Sequence, residues 1–113
     1  MPNFSNFDVY KVTSPTINGY LFSVTENTEE EPTYHYYLIT KENNIMTIKK
    51  PNNIIDILHT TALIMIDIND SEEEYKLFSQ TIETLLSHPI PRTENNSGFT
   101  DITPKDMSLL KTN

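Results

Sequence analysis

The stretch from Thr60 to His88 constrains the fold more than any other. Ala62 through Ile66 is unbroken apolar sequence, and Ile68 follows a single Asp later. A short Ile-rich run bounded by polar residues suits a strand buried on both faces. Behind it, Ser71 is an N-cap candidate, and Glu74 three places on completes the pattern of a capping box. Glu72, Glu73 and Glu74 bring negative charge to the first turn, where the unpaired amides of a helix favour it. Tyr75, Phe78, Ile82, Leu85 and Leu86 then fall on one helical face, and Pro89 and Pro91 stop the helix. The stretch therefore predicts a strand followed by an amphipathic helix over about 71–88.

Upstream, the period changes from helical to alternating. Phe7 to Thr13 carries β-branched and aromatic residues, with Phe7 and Val9 on one face. Asn18-Gly19 is a turn dipeptide with positive φ available, so it predicts a hairpin into a second strand over 20–25. There Tyr20, Phe22 and Val24 alternate against Leu21 and Ser23. Glu26 to Pro32 holds four carboxylates in six positions, too many to bury without partners, and reads as an exposed acidic loop. Tyr34 to Thr40 is a third strand, and Ile45 to Lys49 a fourth, joined by a tight turn in which Asn43-Asn44 can take left-handed conformations. Between Pro51 and Met65 either one helix or a short helix followed by a strand is compatible with the pattern. Thr60-Thr61 and the Ile run favour the second, with Asn52 or Asn53 as the cap.

After Pro91 comes a polar loop through Thr103. Thr103, Pro104 and Asp106 then have the order of cap, first and third positions of a short C-terminal helix, over about 104–111. The expected architecture is one α+β domain spanning 1–113. It is an antiparallel sheet of four or five strands, with one main helix on one face and the other face free to be uncovered.

The formal net charge of −8 disfavours direct contact with nucleic acid or an anionic membrane, both of which need clustered Lys and Arg. Without cysteine there is no disulfide, no thiolate nucleophile and no thiolate-held zinc. The N-terminus has neither a basic start nor an apolar run, and no apolar segment reaches the ~20 residues of a membrane helix, so a cytoplasmic protein is expected. One Ala and two Gly among many Asn, Ile and Thr is the composition of an AT-rich coding sequence, as in an accessory protein of a low-GC bacterium or its virus.

Chemistry-bearing patterns mostly fail. Asp67, Asn69 and Ser71 begin like a calcium loop, but the required Gly and bidentate acid positions hold Glu72 and Phe78. His35, His59 and His88 form no metal-ligand spacing. There is no nucleophile elbow and no Gly-rich phosphate loop. No cofactor, no metal and no catalysis are expected. The remaining feature is a tyrosine-bearing sheet beside an acidic loop, and tyrosines on an open face are good contact residues. The expected function is a non-enzymatic, acidic protein-binding module that blocks a protein partner, in the manner of an inhibitor, an immunity protein or a viral counter-defence protein. Its contact residues are Glu26, Glu29, Glu30, Glu31, Tyr34, Tyr36 and Tyr37, and a basic partner fits the charge. A small-molecule-binding domain is the alternative, a secretion-chaperone-like adaptor the second, and an exposed strand edge would permit a homodimer.

Overall fold

Alternation along the first half of the chain produces four long strands, each paired with its predecessor. A computed structural model of the chain describes residues 3–15, 17–42, 45–87, 92–93, 99–100 and 102–111. Strands β1 (Asn3–Thr13), β2 (Asn18–Asn27), β3 (Thr33–Glu42) and β4 (Ile45–Pro51) form an antiparallel meander. Helix α1 (Ile54–Thr61) follows, then strand β5 (Ile64–Asp67) and the main helix α2 (Glu72–Leu86). Strand β5 returns to pair antiparallel with β1, so the principal sheet runs β5-β1-β2-β3-β4. Two short strands continue it beyond β4: β6 (Arg92–Thr93) pairs parallel and β7 (Phe99–Thr100) antiparallel, and helix α3 (Pro104–Lys111) closes the chain. The α+β fold read from the sequence is the fold observed, including the short helix and strand between Pro51 and Asp67.

One face of the sheet carries the larger core. Val9, Phe22, Val24, Tyr37, Ile39 and Ile48 meet Phe78, Ile82 and Leu85 of α2 and Leu109 and Leu110 of α3. Phe78 is the centre of the aromatic packing. Its ring stacks on Phe22 at 6.1 Å and meets the edges of Tyr20 at 5.4 Å and Tyr75 at 5.7 Å. The opposite face holds a smaller core of Val12, Leu21 and Leu38, against which Ile54 of α1, Leu63 and Met65 pack. That face is partly roofed rather than uncovered.

Local signals were obeyed at the helix starts. Asn53 caps α1, its side chain accepting from Ile55 N–H, and Ser71 caps α2 by accepting from Glu74 N–H at 3.4 Å. The reciprocal half of that box is missing, because the Glu74 carboxylate turns to Lys11 Nζ (3.5 Å) instead. Helix α3 has the complete box. Thr103 Oγ1 accepts from Asp106 N–H (3.3 Å), and Asp106 Oδ2 accepts from Thr103 N–H (2.8 Å).

Three expectations about the chain's elements are corrected. The run Ala62–Ile68 is not a strand buried on both faces: β5 lies at the edge of the sheet, with Ile64 and Ile66 63% and 55% exposed, Leu63 and Met65 half-buried, and only Ile68 fully buried. A chain returning from α1 reaches the sheet beside β1, outside the strip that α2 covers. Second, Asn18-Gly19 is not the turn. Ser14 N–H donates to Ile17 C=O (2.8 Å) and the Ser14 hydroxyl accepts from Ile17 N–H (2.9 Å), so the chain reverses earlier and Gly19 is already in β2. Third, residues 92–93 and 99–100 are not loop but strand. Phe7 is 39% exposed, its ring 6.1 Å from that of Phe22, on a strand bulged between Ser5 and Asp8, with Asn6 at φ 54°. The Asn43-Asn44 turn, His88 and the two stop prolines, Pro89 and Pro91, lie outside the described residues.

Gly19 is required by closeness rather than by φ. A Cβ there would overlap the Ile39 carbonyl oxygen of the neighbouring strand and lie 3.0 Å from Thr40 Cα. Both are backbone atoms that can yield only by separating β2 from β3. Gly19→Ala is expected to destabilise by about 1–3 kcal/mol, the range of overpacking a tight interior. A urea unfolding curve measures it; a midpoint equal to that of the wild type would refute the close-approach argument.

Candidate functional site

Strand parity sorts the tyrosines. Tyr34 and Tyr36 of β3 and Tyr10 of β1 point to the face that α1 partly roofs, whereas Tyr37 points to the α2 face. Between the roofed face and α1 lies a groove of about 460 Å³, its lining including Asp8, Tyr10, Tyr34, Tyr36, Leu58 and Met65. Tyr34 stands 63% exposed at this groove, the largest exposed aromatic surface among the described residues. Tyr36 and Tyr10 are half-buried in its wall.

The groove is acidic as well as aromatic. Burial raises the Tyr10 phenol, and the nearby carboxylates of Asp8 and Asp67 and the Tyr36 phenol raise it further. Asn69 gathers those two acids, its side-chain amide donating to Asp67 Oδ1 at 2.7 Å and to Asp8 Oδ1 at 3.4 Å. The acidic loop leads directly into Tyr34. Glu29, Glu30 and Glu31 are exposed there, and the turn is held by the Thr28 hydroxyl, which donates to Glu31 C=O at 2.6 Å and accepts from Glu31 N–H at 3.3 Å.

Two residues expected at the contact surface are spent inside the fold. Tyr37 is 1% exposed and donates its hydroxyl to Asp106 Oδ1 at 2.5 Å. Its phenol is pushed far above the ordinary range by burial and by Asp106, so it stays a donor. Glu26, with its side chain 13% exposed, accepts from Lys105 Nζ at 3.1 Å and pairs with His35 Nε2 at 2.9 Å. Those hydrogen bonds, from His35 first and Lys105 second, hold its carboxyl below the usual carboxylate range against the opposing effect of burial. Glu26 and Tyr37 therefore tie α3 to the sheet. Glu29, Glu30, Glu31, Tyr34 and Tyr36 remain at the surface.

Parity could have found both. Glu26 continues the series Tyr20, Phe22, Val24, and Tyr37 stands one place from Tyr36, so both belong to the core face. Sequence reasoning also missed Asp8 and Tyr10 in the groove wall and Asp67 paired beside Tyr10, since only strand pairing brings them together. The histidines do not converge. His35 is on the α2 face beside Glu26, His59 is exposed on α1 across the sheet, and His88 lies outside the described residues. Among the described residues, no three His, Asp or Glu side chains stand close enough to hold a metal ion. Nor, among them, is any helix long and apolar enough to cross a membrane.

Comparison with protein-family models, with characterised protein sequences and with solved structures found no match.

Proposed function

We propose that this chain is a non-enzymatic binding protein that blocks a partner protein by holding a basic segment of it against the roofed face of the sheet. The observation that carries the reading is Tyr34, largely exposed at an apolar-lined groove in whose wall Tyr10 is flanked by Asp8 and Asp67. A Lys or Arg side chain gains there from both the carboxylates and the ring faces. Glu29, Glu30 and Glu31 extend the negative field along the chain entering the groove and would steer a basic partner at long range. An inhibitor, an immunity protein or a viral counter-defence protein needs only this, an affinity surface on a rigid sheet. A cytoplasmic setting accords with the cysteine-free chain.

The test separates steering from contact. Native-host affinity purification identifies the partner, and association is then followed at several salt concentrations. Reversing Glu29, Glu30 and Glu31 to Lys should lower the association rate about tenfold or more at low salt and flatten its salt dependence. Tyr34→Ala should instead speed dissociation, with a loss of about 1–2 kcal/mol or more in affinity. Unchanged rates in both variants would remove this surface from the function.

A small molecule in the same groove is the second reading, favoured by its volume, about 460 Å³, within the ~300–1,000 Å³ of ligand pockets. Thermal-shift titration with nucleotides and common metabolites decides for it if one of them gives a saturable rise lost in Tyr36→Ala.

A further inference from the structure

The sheet is protected at one end and bare at the other. Beyond β4 stand β6 and β7, but among the described residues no strand pairs with the outer side of β5. Exposed edges are ordinarily blunted by charge, proline or a bulge. Strand β5 reads Ile64-Met65-Ile66-Asp67 and has none of these before its last residue. Its two isoleucines are more than half exposed while neighbouring Met65 is drawn into the smaller core.

The ladder to β1 states which backbone groups are free. Ile68 N–H donates to Val9 C=O at 3.1 Å, and the register pairs Lys11 with Ile66 and Thr13 with Ile64. Hydrogen-bonded pairs alternate along an antiparallel ladder, so Ile64 and Ile66 direct their backbone groups at β1. Met65 and Asp67 direct theirs outward.

We propose that β5 is a self-association edge, at which two copies of this chain pair their β5 strands antiparallel about a twofold axis through Met65. In that register Met65 faces Met65 of the second copy, Ile64 faces Ile66 and Leu63 faces Asp67. Opposed residues in an antiparallel pair share a face, so both Ile side chains of each copy are covered by those of the other. The outward amides and carbonyls of residues 63, 65 and 67 then meet one another in about six hydrogen bonds; sliding by one pair leaves about four and pushes Asp67 against Met65. Charge also selects a second copy. Between Leu63 and Asp67 the only charged residue is Asp67, and twofold pairing sends the two Asp67 residues to opposite ends, roughly 14 Å apart and beyond the ~8 Å screening length of physiological salt. The strand is short, so the dimer is a reversible one, and the continuous sheet it makes holds ten principal strands, twice the five of one copy.

Sedimentation velocity from ~10 µM to ~1 mM is the measurement, a span that covers weak association. The expected result is a concentration-dependent rise toward twice the mass of 13.1 kDa, and a lower dissociation constant as salt is added, because each copy carries −8. That salt response is opposite in sign to the one expected of a basic partner, so the two readings fail separately. Ile64→Lys with Ile66→Lys should abolish the dimer, and both side chains are exposed enough for the monomer to keep its circular dichroism and melting midpoint. Met65→Cys, the sole cysteine in such a chain, should cross-link under mild oxidation, since ~5.5 Å between Cα atoms of a hydrogen-bonded pair lies within disulfide range. A wild-type chain that stays monomeric throughout, or a dimer indifferent to the two lysines, would overturn the proposal.

Discussion

Asp106→Ala should cost about 3–5 kcal/mol, the scale of breaking a buried ion pair by removing one partner. Asp106 is 3% exposed and satisfies four donors: the Tyr37 hydroxyl, Lys50 Nζ at 3.1 Å, and Thr103 N–H and Oγ1 at 2.8 and 2.9 Å. Without the carboxylate, Tyr37 is left as a buried donor and Lys50 as a half-covered cation against its ring, while α3 loses its capping box. With ~4–8 °C of melting temperature per kcal/mol in a domain of this size, the variant should melt more than about 10 °C lower. Tyr37→Phe removes one donor and leaves the acid satisfied by the others, so it should cost only about 1–2 kcal/mol. If the two variants melt alike, the cluster is not organised around the acid.

The same carboxylate sets the acid limb of stability. Burial alone would raise Asp106, but the hydrogen bonds from Tyr37, Thr103 and Lys50 outweigh it and leave the folded value below the ordinary one; Glu26 is lowered likewise by His35 and Lys105. A group lowered on folding contributes stability that is complete above its unfolded value and is lost as pH falls through the folded value. Both acids therefore stabilise fully above pH ~4.5 and progressively less below it. Denaturant midpoints measured from pH 6 down to 2 should fall steeply in the wild type. In a Glu26→Gln, Asp106→Asn double variant the slope below pH 4 should be shallower.

Phe78→Ala is the second large effect, about 3–5 kcal/mol for an aromatic truncated in a packed core. The ring is 1% exposed and touches Tyr20, Phe22 and Tyr75, which come from the sheet and from its own helix. These neighbours cannot collapse into the gap together, because two are fixed by strand pairing. Phe78→Leu keeps most of the volume and should cost less than half as much. Urea midpoints of the two variants decide this; near-equal losses would mean that the cavity is not what destabilises.

Period and punctuation determined the elements of this protein. Alternation laid out β1 to β4, the spacing of Tyr75, Phe78, Ile82 and Leu85 set the buried face of α2, and Asn53, Ser71 and Thr103 placed the helix starts, because each of these signals acts within a few residues. The same parity, applied to β2 and β3, would have set Tyr34 and Tyr36 on one face and Glu26 and Tyr37 on the other. Tertiary structure decided everything that depends on which strand lies beside which. An Ile-rich run reads alike in a central strand and at an edge, so only the return of β5 to β1 made Ile64 and Ile66 a surface. Only the placement of α1 over the second face turned separate tyrosines and acids into a groove. Local sequence selects a conformation for each segment, whereas exposure belongs to the neighbours a segment is given, and those are settled by the packing of the whole chain.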